Sequence, residues 1–453
     1  MKNHLIFIVV LIFGLTSFAQ AQPKGEYFGE IKIMGQTVPF QVQFKKSVSG
    51  ELSGLLDVPA QGAYGLKLSA LEQNESLLNF EVDTVQTHMI FEGKYMAKKD
   101  SIYGKYMQSG YSGTFYLAAA KKELNSWVDK EVEFRNDKIK LAGLLSLPDT
   151  VKKHPAVIFI SGSGQQDRDE NILGFKIFKK LSEPFIKNGY AVLRYDDRAT
   201  GKSDKTDLTK LTTEDNAQDA LAAYNFMKQH PNIDSEKIGM LGHSEGAVIA
   251  NMLALESDLA FVIMMGGPAV EGKKLLIEQG VSVSKAEGRD SAYLASIRKY
   301  NNKIFDEALS QNPDTTEIYK LLDESFELND LGMDAAQLEL YKKQQVQSLM
   351  LPWIQFFLRY NPGDDLKAVK CPVLAVYGGK DTQVPAEMNM KRIEEIIRQY
   401  DKDNIQTLLL PEANHLFQDA ETGSPSEYKD LPPEFANGFT EAVIKWLKSH
   451  NIR

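Results

Sequence analysis

Cysteine is almost absent from this 453-residue chain, which carries only Cys371. A single cysteine excludes an intrachain disulfide and the cysteine clusters that bind zinc or iron–sulfur groups. The seven histidines contain no metal-binding spacing such as H-E-x-x-H, so the sequence predicts no metal and no other cofactor. Cys371 stands in an apolar segment, and we expect it to be a small core residue.

Clustered positive charge is missing as well. The net charge is −9, and basic residues occur only as scattered pairs such as Lys45 with Lys46. This balance excludes nucleic acid as a partner. The hydrophobic content of 43% and the charged content of 25% are typical of a soluble globular protein. The length predicts two domains, and nothing in the sequence specifies an oligomeric state.

A long apolar run occurs at the start of the chain. Leu5 to Phe18 is almost wholly apolar but shorter than the roughly 20 residues that a membrane-spanning helix needs. Lys2 and His4 precede it and a small-x-small site follows, so we predict a signal peptide over residues 1–21. An uncleaved anchor is the alternative. Without disulfides, an exported chain of this kind indicates a bacterial periplasmic or secreted protein with no membrane span after signal removal.

Residues 22–122 alternate between apolar and polar side chains with a period of two. Val38 to Phe44 and Leu77 to Val82 show this pattern clearly. The pattern predicts an antiparallel all-β domain, a small barrel or sandwich built from sequential hairpins. Gly54 and Gly104 lie inside strand patterns and indicate bends or bulges.

Residues 123–270 and 366–453 alternate between apolar strands and helices, which predicts a mostly parallel sheet covered on both faces. Residues 271–365 interrupt this α/β rhythm with helical periodicity. We predict a helical cap over the site, with a purely structural insertion as the alternative. The predicted strands are 131–134, 139–147, 154–160, 190–195, 237–241, 259–265, 372–377 and 405–410. The predicted helices are 175–188, 212–230, 291–309, 316–328, 335–349, 388–400 and 433–449.

The pentapeptide Gly242-His243-Ser244-Glu245-Gly246 lies between an apolar strand and a strong helix former. Strand, G-x-S-x-G and helix together form the context of a nucleophile elbow. In that turn the serine is strained, and a Cβ at either glycine would collide with a neighbouring element. The pattern therefore predicts Ser244 as a nucleophile at the positive end of a helix.

A serine nucleophile needs a base and a group that orients the base. His415 follows the last predicted strand, at the sheet edge where the elbow lies. His243 is expected to point away from the nucleophile. Asp381 follows the strand at 372–377 in a glycine turn, where a carboxylate would orient the imidazole. Glu271 is the competing candidate for this acid.

The developing oxyanion needs backbone donors. We predict the N–H groups of Glu245 and Ser163, with Gly164 as the alternative to Ser163 in the small-residue loop 161–164. A phosphate cradle would require the full G-x-G-x-x-G pattern, which is missing.

Dense charges follow two predicted strands, at residues 165–170 and 195–203. Arg168 or Arg198 could bind a substrate carboxylate there. A structural ion-pair network is the alternative, and it is the more common role of such charges. The side chain of Glu245 either faces substrate or simply stabilises the first turn of its helix.

With these motifs the chain resembles the α/β-hydrolase superfamily over Val132 to Leu447. The segments 161–170 and 242–246 are similar to those of EstD-like bacterial carboxylesterases, whose relatives include dipeptidyl aminopeptidase-like and acylaminoacyl-peptidase-like proteins. The resemblance implies a β-rich N-terminal domain and a helical cap. It places the nucleophile on Ser244, the acid on Asp381, the base on His415 and the oxyanion loop on Ser163. The segment Arg198-Ala199-Thr200-Gly201 departs from the Arg-Gly-x-Gly of many relatives.

Together these features predict a serine hydrolase that cleaves short-chain carboxylic esters of small molecules through an acyl-enzyme. Two alternatives stay open. One is a serine aminopeptidase or acylaminoacyl-peptidase-like enzyme with the same triad. The other is an inactive hydrolase fold that serves as a binding module.

Overall fold

The computed structural model describes residues 22–33, 36–47, 51–58, 63–84, 88–119, 127–327 and 333–452. The chain divides into two units, Met1–Leu124 and Asn125–Arg453. The predicted signal peptide at 1–21 lies outside the described residues.

The first unit is an antiparallel sheet of nine strands, in the order β4-β3-β2-β1-β9-β8-β7-β6-β5. The first strand pairs with both the second and the ninth, so the chain returns to its start. The predicted antiparallel β domain is therefore confirmed. The strands are β1 (Gly25–Ile33), β2 (Gln36–Lys46), β3 (Leu52–Val58), β4 (Ala63–Lys67), β5 (Ser69–Asn74), β6 (Leu77–Asp83), β7 (His88–Met96), β8 (Ser101–Gln108) and β9 (Tyr111–Ala119).

Alternate side chains of these strands form the core of the first unit. In β6, Phe80 is fully buried between the exposed Asn79 and the half-buried Glu81, and its ring stacks on Phe91 of β7 at 4.5 Å. Strand pairing is regular at Gly54 and Gly104, so neither glycine marks the expected bulge. At Gly104 the absence of a side chain allows close strand approach instead, since a Cβ there would lie 2.0 Å from the carbonyl oxygen of Glu92.

The second unit contains an eight-stranded sheet in the order β10-β11-β15-β12-β16-β17-β18-β19. Pairing is antiparallel from β10 to β15 and parallel from β15 to β19. This mostly parallel sheet confirms the α/β-hydrolase architecture. The strands of this unit, including the short separate hairpin β13–β14, are β10 (Val128–Asn136), β11 (Ile139–Leu147), β12 (His154–Ile160), β13 (Asn171–Ile172), β14 (Phe175–Lys176), β15 (Ala191–Tyr195), β16 (Ile233–His243), β17 (Val262–Met265), β18 (Val373–Gly378) and β19 (Ile405–Leu410).

Eleven α-helices occur in the described residues, all of them in the second unit. No helix of the described chain is both long and apolar enough to cross a lipid bilayer. The helices are α1 (Ile177–Lys187), α2 (Thr213–Gln229), α3 (Glu245–Glu256), α4 (Gly272–Ala286), α5 (Ser291–Ala308), α6 (Thr315–Glu327), α7 (Ala335–Leu349), α8 (Pro352–Arg359), α9 (Pro362–Ala368), α10 (Ala386–Tyr400) and α11 (Phe439–Ser449).

Both faces of this sheet are covered by helices. Along β12, Ile158 packs in the cluster that contains residues of α2, α3 and α10, whereas Phe159 packs in the cluster of α1 and α11. Alternating burial in two cores explains why the strand is apolar throughout. Cys371 is half-buried against the first cluster, and burial raises the pKa of its thiol to about 11.

The helices α4 to α9 lie between β17 and β18 in the chain, and within residues 266–327 and 333–372 the structure has no strand. The predictions 291–309, 316–328 and 335–349 match α5, α6 and α7 closely. These helices share a small core of their own that includes Tyr300, Ile318 and Val346. The segment predicted as a cap is therefore helical and packed.

Candidate active site

Ser244 occupies the tight turn between β16 and α3. Its backbone has φ 53° and ψ −119°, a left-handed φ that a non-glycine residue rarely adopts. Both flanking glycines are required by close packing. A Cβ on Gly242 would lie 2.1 Å from the carbonyl carbon of Gly246, and one on Gly246 would lie 2.1 Å from the carbonyl oxygen of Ile160. The turn thus has the strained geometry of a nucleophile elbow.

His415 and Asp381 form a buried pair in the loops that follow β19 and β18. The His415 Nδ1 atom lies 2.7 Å from Asp381 Oδ2. The other carboxylate oxygen, Oδ1, accepts backbone N–H groups of Gln383 and Val384, each at 2.8 Å. These bonds fix the carboxylate against the imidazole, so that Nδ1 carries the proton and Nε2 is left as a proton acceptor.

Ser244 and His415 line the same cavity, which has a volume of about 380 Å³. Within the described residues the Ser244 hydroxyl makes no hydrogen bond; in unliganded enzymes such contacts often tighten only when substrate binds. The competing acid Glu271 is exposed at the start of α4 and lines a separate groove between α4 and α5. Of the two candidate acids, Asp381 is the one that contacts His415.

The loop 161–164 follows β12 and brings Gly162 and Ser163 to the same cavity. The Gly162 N–H donates to Glu170 Oε1 at 2.8 Å and is therefore occupied. The N–H groups of Ser163 and Glu245 have no acceptor among the described residues, as the predicted oxyanion donors require. Gly164, with φ +89°, does not line the cavity.

The Glu245 side chain is 2% exposed, and its Oε1 atom accepts hydrogen bonds from two distant elements. Thr213 Oγ1 at the start of α2 lies 2.6 Å away, and Trp353 Nε1 of α8 lies 2.7 Å away. Glu245 is therefore more than an acid in the first turn of α3, because its side chain also links the elbow to a helix of the predicted cap.

Arg168 and Arg198 form structural ion pairs and do not line the cavity. Arg168 donates from Nε and Nη2 to the two carboxylate oxygens of Asp196, at 2.9 and 2.8 Å. Arg198 contacts both carboxylate oxygens of Asp219 in α2, with Nη2 to Oδ1 at 2.7 Å. The guanidinium groups of both arginines thus bind buried acids in this structure, which favours the structural ion-pair network over the substrate contact.

Replacing Arg198 with methionine should destabilise the fold without a selective effect on substrate binding. The variant leaves Asp219 as a buried charge without its cation, which costs about 3–5 kcal/mol. Urea unfolding measures the loss, and KM for an ester substrate should stay close to that of the wild type. Lys202→Met is the matched control, since Lys202 belongs to the same loop but its side chain is 66% exposed. A raised KM with unchanged stability would restore the substrate-contact interpretation.

His243 and Glu170 line the same cavity as Ser244, and the sequence did not reveal this position for either residue. The His243 ring is expected to point away from the nucleophile; in the structure it packs against the His415 ring, with centroids 4.8 Å apart and the ring planes tilted by 38°. Its Nδ1 lies 2.9 Å from Glu170 Oε1 and its Nε2 lies 3.0 Å from the backbone oxygen of His415. The sequence offered one signal for them: both residues are ionisable, and Glu170 lies in the segment 161–170 while His243 lies in the segment 242–246.

The cavity wall combines an apolar side and a neutral polar side. Glu170 and Glu245 are its acidic residues among the described positions, and each accepts hydrogen bonds from protein donors. The apolar lining includes Leu275 and Leu276 of α4 with Trp353 and Phe357 of α8; the neutral polar lining includes Gln166, Gln279, Gln383 and Tyr428. Helices α4 and α8 of the predicted cap therefore contribute to the cavity itself.

One group of potential metal ligands occurs in the first unit. Ligand atoms of Glu81, Asp83 and His88 lie within 4.8 Å of one another on β6 and β7. His88 Nε2 already contacts Glu81 Oε2 at 2.9 Å, and the group is largely exposed. Exposed acidic groups of this kind are common without an ion, and the group shares no residue with the Ser244 cavity.

The sequence model of the X-Pro dipeptidyl-peptidase family, S15, matches residues 106–416, a range that contains Ser244, Asp381 and His415. Esterase EstD of Thermotoga maritima is 28% identical over 324 residues, which cover 70% of this chain and 69% of that esterase. Esterase FrsA of Vibrio vulnificus is 26% identical over 155 residues, 34% of each chain. A solved esterase of Pyrococcus furiosus covers 72% of this chain and 91% of its own, with 18% identity and a TM-score of 0.43.

Proposed function

Since the chain belongs to the X-Pro dipeptidyl-peptidase (S15) family, we propose that it is a serine esterase that cleaves short-chain carboxylic esters of small molecules. The observation that carries this proposal is the meeting of Ser244, on its strained elbow, with the His415–Asp381 pair in one cavity. Similarity to esterase EstD supports the choice of ester hydrolysis within the family.

In the proposed reaction His415 Nε2 accepts the Ser244 proton while Oγ attacks the acyl carbon. The backbone N–H groups of Glu245 and Ser163 stabilise the oxyanion of the tetrahedral intermediate. His415 then gives the proton to the leaving alcohol oxygen, and the acyl group stays bound to Ser244. In the second half, His415 takes a proton from water, hydroxide attacks the acyl carbon, and the proton returns to Ser244 as the acid leaves.

The cavity favours esters over substrates with a free amino terminus. An aminopeptidase must stabilise the substrate ammonium, which normally requires an unpaired carboxylate in the pocket. Among the described lining residues, the Oε1 atoms of Glu170 and Glu245 already accept protein donors, and Glu170 Oε2 is buried out of reach of a substrate. The other polar side chains near Ser244 are glutamines, serine, histidine and tyrosine. The volume of about 380 Å³ suits a small neutral substrate.

A substrate panel separates the esterase from the aminopeptidase alternative. We expect the highest kcat/KM for p-nitrophenyl esters of short acids, and a value at least about 100-fold lower for an X-Pro p-nitroanilide, because an unpaired ammonium costs several kcal/mol in the cavity. An N-acetylated p-nitroanilide separates the effect of the charge from that of the amide bond. Turnover of the free-amine anilide comparable to that of the esters would establish the aminopeptidase instead.

The binding-module alternative makes a different prediction for the nucleophile. A fluorophosphonate probe should label the wild-type chain at Ser244, as mass spectrometry of the tryptic peptide would show. The Ser244→Ala variant is the control for labelling elsewhere. An unlabelled, folded wild-type protein would contradict the esterase and favour a binding module.

A further inference from the structure

Three hydrogen bonds in the wall of the cavity join the proposed oxyanion loop to the loop of the proposed base. The Gly162 N–H donates to Glu170 Oε1 at 2.8 Å, and His243 Nδ1 lies 2.9 Å from the same oxygen. His243 Nε2 lies 3.0 Å from the backbone oxygen of His415. Glu170 is 1% and His243 is 2% exposed, and we call this pair the Glu170–His243 bridge.

The acceptors around His243 determine its protonation. The His415 carbonyl oxygen can only accept, so Nε2 carries a hydrogen. A neutral ring would then present the Nδ1 lone pair to a carboxylate oxygen, which is repulsive. The bridge therefore retains a proton between Nδ1 and Glu170 Oε1. Burial lowers the pKa of His243, but the charge and hydrogen bond of Glu170 outweigh it, so the pKa is raised above its usual value.

Glu170 has two further features that are costly for the fold. Its φ is +46°, in the left-handed region that non-glycine residues seldom adopt. Its second oxygen, Oε2, is buried and has no hydrogen-bond partner among the described residues. A strained backbone and an unsatisfied buried oxygen each reduce stability, and residues that combine such features are concentrated at functional sites.

We propose that Glu170 and His243 are positioning residues, which act on catalysis by fixing the proposed base and the proposed oxyanion donor in one geometry. His243 holds the backbone of His415, while Asp381 holds its ring. Glu170 holds Gly162, whose neighbour Ser163 supplies the proposed oxyanion N–H. This role rests on the proposed function. A displacement of about 1 Å at either partner is enough to reduce the rate about 100-fold.

Glu170→Gln is the principal test. In this variant the glutamine oxygen still accepts the Gly162 N–H, but it has no negative charge to keep the second proton on the His243 ring. A neutral His243 ring has one N–H for two acceptors, so one hydrogen bond of the Glu170–His243 bridge is lost. We expect kcat for a short-chain ester to fall about 10- to 100-fold with KM little changed. Glu434→Gln is the matched control, since the Glu434 side chain is 73% exposed and pairs only with Lys180 among the described residues. Urea unfolding reports any loss of stability separately.

Two substitutions of His243 separate the contributions of its two ring nitrogen atoms. His243→Gln places an amide N–H near the position of Nε2 and keeps the bond to the His415 carbonyl. His243→Asn places it near Nδ1 and keeps only the bond to Glu170. We expect His243→Gln to retain more kcat than His243→Asn, and the double variant with Glu170→Gln to lose less than the sum of the two effects.

The pH dependence gives a readout that a merely structural pair would not change. The titratable groups that contact the His243 ring are Glu170 and His415, and Asp381 acts on it through its charge. The pKa of His243 is higher in the folded protein than in the unfolded chain. The bridge therefore makes its full contribution to stability below about pH 6.5 and loses it as the pH rises through the pKa of His243 in the folded protein. Wild-type kcat should therefore fall on the alkaline side, and His243→Gln should lack that fall.

The outcomes separate this proposal from the proposed function. If both Glu170→Gln and His243→Asn keep the kcat and the pH profile of the wild type, the positioning role is overturned, whatever the stability of the two variants. If the wild-type protein itself fails to react with a fluorophosphonate at Ser244, the esterase proposal fails first. Normal wild-type labelling with slow labelling of folded Glu170→Gln supports both.

Discussion

Replacing Ser244 with alanine should lower kcat for p-nitrophenyl acetate by about 10⁴-fold or more. The substitution removes the atom that forms the acyl-enzyme, so what remains comes from substrate binding and the oxyanion donors. The variant should be folded, because alanine removes no hydrogen bond of the elbow among the described residues. The backbone N–H at position 244 still donates to the Met265 carbonyl. Steady-state kinetics and circular dichroism measure the two quantities.

Ser257→Ala is the matched control for this result. Ser257 follows the last residue of α3, whereas Ser244 precedes its first. Among the described residues, the Ser257 hydroxyl donates only to the Leu253 carbonyl, at 2.6 Å. Its activity should equal that of the wild type. Retention of most ester hydrolysis by Ser244→Ala would rule out the assigned nucleophile.

Replacing Asp381 with asparagine should reduce kcat by about 10³- to 10⁴-fold while the fold is retained. The N–H groups of Gln383 and Val384 both donate to Oδ1, so the asparagine oxygen takes that position. Its amide NH₂ then faces His415 Nδ1 and forces the imidazole proton onto Nε2. The ring is left with a hydrogen directed toward the serine, where it needs a lone pair.

Glu271→Gln is the control for the second result, because Glu271 is the competing acid and lies exposed at the start of α4. It should hydrolyse esters at the wild-type rate. A fully active Asp381→Asn together with an impaired Glu271→Gln would reverse the assignment of the orienting acid.

The sequence predicted the framework of the site because each element carries a local signal. The apolar strands, the G-x-S-x-G turn and the glycine turn before Asp381 depend on residues that are close in the chain. The helices α5 to α7 were predictable for the same reason, since their periodicity is strong. Several boundaries differ. Strand β16 begins at Ile233 rather than 237, and residues 175–176, predicted as helix, form strand β14 before α1. Helix α11 begins at Phe439 rather than 433, directly after Gly438, whose φ is +84°.

The contacts that sequence reasoning missed join residues far apart in the chain. Glu245 and Trp353 are 108 positions apart, and Glu170 and His243 are 73 apart. Local patterns place a charged residue in a loop but do not say which distant loop supplies its partner. For this reason the sequence of the loop is compatible with substrate binding by Arg198 and also with an ion pair. The structure places Asp219 of α2 beside it.

The position of Glu245 bears on how firmly helix α8 is held beside Ser244. A rigid movement of α8 away from the elbow would break the Trp353–Glu245 bond and leave a buried carboxylate with Thr213 as its remaining donor. Hydrogen bonds to charged groups contribute about 1.5–3 kcal/mol, so this movement is disfavoured. The Trp353–Glu245 bond therefore stabilises helix α8 in its position as a wall of the cavity beside Ser244.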